Sequence, residues 1–335
     1  MILLCGCTKT PVETESEKAE SFEPKGMVYY SFFDTVTYIY SYANDSAERF
    51  DSLSADCAHI LKEYHELFDI YHEYEGINNL CTLNKNAGKE PVEIDERLET
   101  FLRSAKELYY ETDGEMNVMM GSVLSLWHEA REDGTYIPTD EELNNANEHT
   151  GIESLVIENG TASIKDENAS IDVGAYAKGY ATEQCAKYLR EQGADGYVLN
   201  VGGNICIIGS RIDGTGWKTA IKDPEDPNGS YCEMLYISDT SCVTSGVYER
   251  YFTVDGVRYH HIIDKDTLYP AGFYASVTVL CSDSGLADAL STALFCMDES
   301  KGADLASKMD AEVLWVYPDG HKSMTPGMGD FIQEN

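Results

Sequence analysis

A chain of 335 residues is long enough for about two domains of ordinary size, or for one large domain with insertions. It is 43% hydrophobic, ample for a core, and its 24 Lys and Arg against 59 Asp and Glu leave a net charge of −35. That field repels phosphate backbones and anionic headgroups, which excludes nucleic acid and a peripheral membrane patch as main partners and makes a metal ion the expected mediator for any anionic ligand.

From the N-terminus, Leu4-Cys5-Gly6-Cys7 resembles the close of a bacterial lipoprotein signal, without the basic n-region and most of the apolar h-region that precede such a site. The following TKTPVETESEKAESFEPK is polar, Glu/Ser-rich and Pro-bounded, the composition of a tether that does not fold. Residues 1–26 are therefore expected to be a lipobox remnant and disordered tether, with a bacterial extracytoplasmic protein anchored through Cys7; an ordinary disordered N-terminus is the alternative. No run of about 20 apolar residues exists, so the lipid would be the sole membrane contact. The other eight cysteines form no CxxC pair and have no His at zinc spacing, and read as reduced packing residues.

Residues 27–335 read as one folded unit of two lobes with no clean linker. MVYYSFFDTVTYIYSYA alternates as one or two strands. Helices are predicted from about Ser46, with Leu53, Cys57, Leu61, Tyr64 and Phe68 on one face, from Asp95 as N-cap, over Ser122–Ala130, and shortly after Thr139. Short strands follow around 154–157, 162–164, 198–208 and 219–221, with a helix near 177–192. The last third alternates strands (242–244, 275–280, 313–317) with helices (286–297, 301–309). This mixture argues for an α/β or α+β protein.

Four segments carry chemistry. In the apolar helix around LADALSTALFCM, Asp288, Ser291 and Thr292 stand at i, i+3, i+4 and share a face. One carboxylate and two hydroxyls suit a hard cation such as Mg2+, although hydroxyls bonding back to the preceding turn would explain them equally. IDVGAYAKGYA opens a helix where free amides and Lys178 could meet a phosphate, or it is a Gly-containing turn with a solvated Lys; its spacing fits neither a dinucleotide fingerprint nor a P-loop. Asn200-Val-Gly-Gly-Asn204 reads as a bulge or a close backbone contact. His260 and His261 precede Asp264, and a His–carboxylate pair could act as general base; in a strand, at most one of the two histidines faces the site.

Together these segments resemble the ApbE-type flavin transferases (FAD:protein FMN transferases). The resemblance runs from about Phe33 to Tyr317 and rests on Phe33-Asp-Thr35, Phe68-Asp-Ile-Tyr71, Asn78-Asn-Leu, Asn84…Gly88, Gly114…Gly121…Leu126-Trp127, Asp172–Ala181, Asn200–Asn204, Thr244-Ser-Gly246 with Tyr248, His261-Ile-Ile-Asp264 and Ala287–Ala293. It implies a T-fold-like α/β (α+β) architecture of two interlocked lobes with the flavin site between them. It also implies Mg2+-dependent transfer of FMN from FAD to a Thr or Ser hydroxyl of an acceptor flavoprotein subunit, with release of AMP. Carried over to this chain, Asp288, Thr292, Ser291 and the Ala175 carbonyl would hold the metal. Phe33, Tyr71, Met119, Met120, Gly121, Asp172, Lys178 and Ile262 would contact the flavin nucleotide, and His261, with Asp288, would be catalytic. The chain departs from the pattern at Thr267-Leu268-Tyr269-Pro270, at Gly121-Ser122-Val123, at His128 where Gly is typical, and at Asn117 where an acid is expected. These departures bear on pocket shape more than on metal. An Mg2+-dependent FAD pyrophosphatase and a non-catalytic FAD-binding lipoprotein are the competing readings.

Overall fold

The computed structural model describes residues 24–332 apart from 213 and 227. The lipobox and most of the expected tether lie outside the described residues. The first strand nevertheless starts at Lys25, so Lys25 and Gly26 belong to the sheet and not to the tether, because both pair across it with Ser41 and Tyr40.

The elements in chain order are β1 (Lys25–Phe32), β2 (Thr35–Ser41), α1 (Ala47–Phe68), α2 (Leu80–Lys85), β3 (Val92–Glu93), α3 (Glu96–Glu111), α4 (Gly121–Asp133) and α5 (Asp140–Asn147). They continue with β4 (Leu155–Glu158), β5 (Thr161–Ile164), α6 (Ala177–Glu191), β6 (Tyr197–Val201), β7 (Asn204–Ile208), β8 (Trp217–Lys222), β9 (Tyr231–Ile237) and β10 (Ser241–Gly246). The last are β11 (Tyr251–Val254), β12 (Val257–His260), β13 (Ser276–Cys281), α7 (Ser284–Ala293), α8 (Glu299–Lys308), β14 (Glu312–Val316) and β15 (Lys322–Met324). Polar residues outside the helices fix their starts: Ser46, Asp95, Thr139, Asp283 and Asp298 each accept a hydrogen bond from a first-turn amide that has no partner inside the helix.

An antiparallel eight-stranded sheet, ordered β1-β2-β6-β7-β10-β13-β14-β15, is the backbone of the molecule. Alternation along its strands feeds two cores. Cys206, Ile208, Val243, Val279, Val313 and Trp315 face the helix layer, while Ile207, Cys242, Leu280, Leu314 and Val316 face the β8–β9 hairpin. All six residues of β13 are buried, as expected for a strand covered on both faces. Beside it lie α2, α3 and the small β3-β5-β4 sheet, which share the core of α1 and α6, while Met120, Val123 and Trp127 at α4 pack with Leu143, Leu268 and the β11–β12 hairpin.

The paired glycines form no bulge, but the close contact that was the other expectation is present, since a Cβ on Gly202 would lie 2.5 Å from Thr35 Oγ1. Gly202 (φ 60°) and Gly203 (φ 92°) form a two-residue turn between β6 and β7, with Val201 paired to Asn204, so the run expected as one strand is a hairpin. Strands 217–222 and 231–237 and the 251–260 hairpin extend well beyond the single 219–221 strand expected in that region.

Helices α6 and α7 cross with almost no gap. A Cβ on Gly179 would lie 2.4 Å from the Ser284 carbonyl oxygen and 2.4 Å from Asp288 Cβ, so only glycine lets the two backbones approach this closely. Replacing it forces the helices apart. Gly179→Ala is expected to destabilise the protein by about 1–3 kcal/mol, read from the midpoint of guanidinium unfolding; an unchanged midpoint would mean that the crossing yields freely.

Candidate active site

A cavity of about 660 Å³ opens at one side of the main sheet's turns. Its walls come from the β1–β2 and β6–β7 turns, β10, the entry to α6, the inner face of α7, the segment after α1, α4 and the chain after β12.

The α7 wall carries a carboxylate and a hydroxyl. Asp288 is only 6% exposed, yet it lines the cavity with Thr292 one turn further on. Its Oδ2 accepts the Gly179 amide at 2.8 Å. Burial pushes its carboxyl above the usual range against the opposing pull of Lys178 and the Gly179 amide, so this group ionises at a cost unless a cation joins it. The helix is held at its start by Glu183, which accepts the Ser284 amide at 2.9 Å, and by Asn204, which accepts the Ser284 hydroxyl at 3.0 Å.

At the entry to α6, Asp172 Oδ1 accepts the Gly174 amide at 2.8 Å and fixes the turn that brings Ala175 to the cavity; Lys178 Nζ donates to the Gly174 carbonyl at 3.2 Å. Opposite, Phe33 (φ 51°) and Asp34 (φ 50°) sit in the left-handed region at the tip of β1–β2. That conformation is strained for a bulky residue, and His65 supports it by accepting the Phe33 amide at 3.3 Å and by taking the ring edge-on. After α1, Asp69 accepts the amides of Tyr71 and His72 and the Tyr74 hydroxyl. Burial raises the Asp69 carboxyl, but these donors outweigh it and hold it below the usual range. The knot projects Tyr71 over the mouth, its hydroxyl 3.3 Å from His128 Nδ1.

The two histidines separate as strand alternation requires. His260 is buried, its Nε2 donating to the Ala271 carbonyl at 2.9 Å, while His261 lines the cavity. His261 Nδ1 lies 3.2 Å from the Arg250 carbonyl, which can only accept, so the proton sits on Nδ1 and the Nε2 lone pair is free. Burial, then Arg250 and Lys178, lower its pKa to about 3, which keeps it neutral. Asp264 does not pair with it: Oδ1 accepts the amides of Asp266 and Thr267 and closes a local turn.

Phe33, Tyr71, Met120, Asp172, Ala175, Lys178, His261, Ile262, Asp288 and Thr292 are thus brought to one cavity. Three expected residues are not. The Ser291 hydroxyl is engaged by Ser245 Oγ at 2.8 Å and the Asp288 carbonyl at 2.9 Å, turned towards β10. Met119 is wholly buried in the core. Gly121 packs so close to Ser170 that a Cβ would meet its carbonyl oxygen at 2.5 Å, a steric role behind the wall. The sequence reading took His128 only as a departure bearing on pocket shape and missed Arg131 and Arg250; all three are on the lining. A signal for the first two was present, since they stand at i, i+3 on one helix.

Among the described residues no group of three or more His, Cys, Asp or Glu gathers as a metal site. The donors on the α7 wall are instead one carboxylate, the Thr292 hydroxyl and the adjacent Ala175 backbone. Oxygen donors of this kind around an under-compensated buried carboxylate fit a hard divalent cation.

A family model described as the ApbE family matches residues 33–315. The FAD:protein FMN transferase of Vibrio cholerae is 36% identical over 263 residues, covering 77% of this chain and 78% of that protein. The one from Treponema pallidum is 29% identical over 271 residues, covering 76% and 75%. Among solved structures, the ApbE protein of Thermotoga maritima superposes with a TM-score of 0.83 at 28% identity, covering 93% of this chain and 100% of that one. The flavin transferase ApbE from Vibrio cholerae gives 0.79 at 30% identity, covering 92% and 99%.

The raised Asp288 carboxyl has a stability consequence. Unfolded, it is ionised at neutral pH; folded, it resists ionisation, so its contribution is favourable at low pH and lost as pH rises through its folded pKa. Asp288→Asn is therefore expected to raise the melting temperature of the metal-free protein at pH 7 and to abolish any further rise on adding Mg2+, both measured by scanning calorimetry. A variant still stabilised by Mg2+ would remove Asp288 from the cation site.

Proposed function

The chain belongs to the ApbE family and is an FAD:protein FMN transferase; we propose that it uses Mg2+ to pass FMN from FAD to a Thr or Ser hydroxyl of an acceptor flavoprotein subunit, with AMP as the other product. The observation that carries this reading is the convergence, in one cavity, of the oxygen wall of Asp288 and Thr292, the Lys178 ammonium and an imidazole whose Nε2 is unprotonated.

The residues divide the work. Asp288, Thr292 and the Ala175 carbonyl would hold Mg2+, which when bound neutralises diphosphate charge and answers the repulsion a −35 chain exerts on FAD. Lys178, tethered to Gly174, places a positive charge beside them. Phe33, Tyr71 and Ile262 give the flavin nucleotide apolar and aromatic surface. His261 accepts the proton of the acceptor hydroxyl at Nε2 while its Nδ1–H stays on the Arg250 carbonyl, which fixes the ring. The cations that depress its basicity are those a diphosphate would compensate, so substrate binding strengthens the base. The hydroxyl oxygen bonds to the flavin-side phosphorus, the bond from that phosphorus to the bridging oxygen breaks, and AMP carries the bridging oxygen away.

We extend the reading to an extracytoplasmic protein anchored through Cys7. Its support is Leu4-Cys5-Gly6-Cys7 ahead of the acidic tether.

Incubation with FAD, Mg2+ and a candidate acceptor, with all products weighed by mass spectrometry, tests the transfer. The acceptor should gain the mass of FMN and AMP should appear in step. Free FMN with AMP would indicate hydrolysis, and unchanged FAD a binding protein. His261→Ala should lower transfer by about 10²–10⁴-fold while FAD binding, followed by flavin fluorescence, persists; undiminished transfer would remove His261 as the base.

A further inference from the structure

Two guanidinium groups in the cavity have been given no ligand contact above. Arg131 of α4 and Arg250, just past β10, both line it. In this acidic chain Arg49, Arg97, Arg103 and Arg190 each sit on a carboxylate. Among the described residues, the Arg131 and Arg250 guanidinium groups have neither an ion-pair nor a hydrogen-bond partner. Of the carboxylates on the same lining, Asp69 is engaged by its amide and hydroxyl donors, Asp172 by Gly174, Glu115 by Lys265 and Glu249 by Lys222, while Asp34 has no ion-pair partner among the described residues. Arg131 is half-buried and Arg250 exposed, so both guanidinium groups stand open to an anion that enters the cavity.

Their position is set by the groups that feel their charge. Both act on Tyr71 and His128, which touch across the mouth, whereas Arg250 and Lys178 act on His261, and Lys178 on Asp288. Asp172 acts on Tyr71 and His128 as well, and all of these groups line the one cavity.

We propose that Arg131 and Arg250 form a phosphate clamp for the half of FAD that leaves as AMP. The inference rests on the transferase reading. The attacked phosphorus must lie within reach of His261 and the Asp288 wall, and Arg250, whose carbonyl holds the His261 ring, stands beside that position for the adjoining phosphate of the diphosphate. Guanidinium forks match phosphate oxygens two at a time. As the bond to the bridging oxygen breaks, that oxygen departs with AMP and gains negative charge, while the acceptor's proton goes to His261. Two otherwise unpaired cations at the departing phosphate stabilise that charge as it develops. His128 and Tyr71 close the mouth beside it.

Equilibrium titrations of the full chain without divalent ions, using FAD, AMP and riboflavin as probes, test the clamp. Arg131→Gln and Arg250→Gln should each weaken FAD and AMP by about tenfold, and together by about a hundredfold, with riboflavin unchanged. Lysine at either position should restore part of the loss, and circular dichroism should show the native spectrum throughout. The clamp is overturned if the double variant binds AMP as the parent chain does, or if riboflavin weakens in parallel with FAD. A parent chain that binds AMP, loses it in the double variant, and yet fails to bind FAD would keep the clamp and remove the transferase reading.

Discussion

The Gly179 amide bonded to the Asp288 carboxylate at the crossing of α6 and α7 is the contact on which the rest of the site depends. It exists because position 179 has no side chain, which lets one helix backbone lie against the other. It uses one oxygen of the carboxylate, and the Asn204 side chain acts on the same group. A carboxylate in this environment is expensive to keep charged, since removing an ion from water costs far more than one neutral hydrogen bond returns. The arrangement persists because the surrounding structure over-determines it: Glu183 satisfies the first amide of α7, Asn204 receives the Ser284 hydroxyl, and β10 and β13 close behind the helix. Fold stability and affinity for a cation are thus opposed at one residue.

The same local reversal of charge governs the opposite wall. A chain with an excess of 35 negative charges offers an anionic dinucleotide a cavity carrying Lys178, Arg131 and Arg250, and it does so by engaging the neighbouring acids in turns and surface pairs. Asp69 is the best example. Its oxygens take two amides and a hydroxyl, so its charge is dispersed in a knot that shapes the Tyr71 loop and is not presented to the ligand. Net charge therefore says little about the field inside a cleft; what matters is which acids have been given donors.

Periodicity made the helices and most strands legible, and it placed Asp288 and Thr292 on a common face. It could not say which hydroxyl of that face would meet a neighbour: Ser291 is taken by Ser245, a residue on a strand 46 positions away. Met119 and Gly121 stand beside Met120 in sequence, but the chain turns into α4 there, so that only Met120 reaches the cavity while its neighbours serve the core and the backbone approach to Ser170. Strand alternation correctly separated His260 from His261. It gave no warning that Asp264 would close its own turn, because an Asx turn and a His partner draw on the same carboxylate. The meeting of Arg131 with Arg250 was invisible for a different reason. They come from separate elements, and long side chains meet only once tertiary structure sets their origins.

The buried cysteines add a consequence for chemical durability. Cys57, Cys81, Cys185, Cys206, Cys242, Cys281 and Cys296 are unpaired and enclosed, and only Cys232 of the eight described is half-exposed. Burial pushes the thiols of Cys206 and Cys242 up to about 12 and raises Cys185 and Cys296 as well. Oxidants and disulfide partners react with the thiolate, which the folded interior withholds. A protein exposed to an oxidising compartment would therefore keep its sulfur reduced through solidity of packing and not through any reducing system. Its redox ageing would follow the rate at which the core opens.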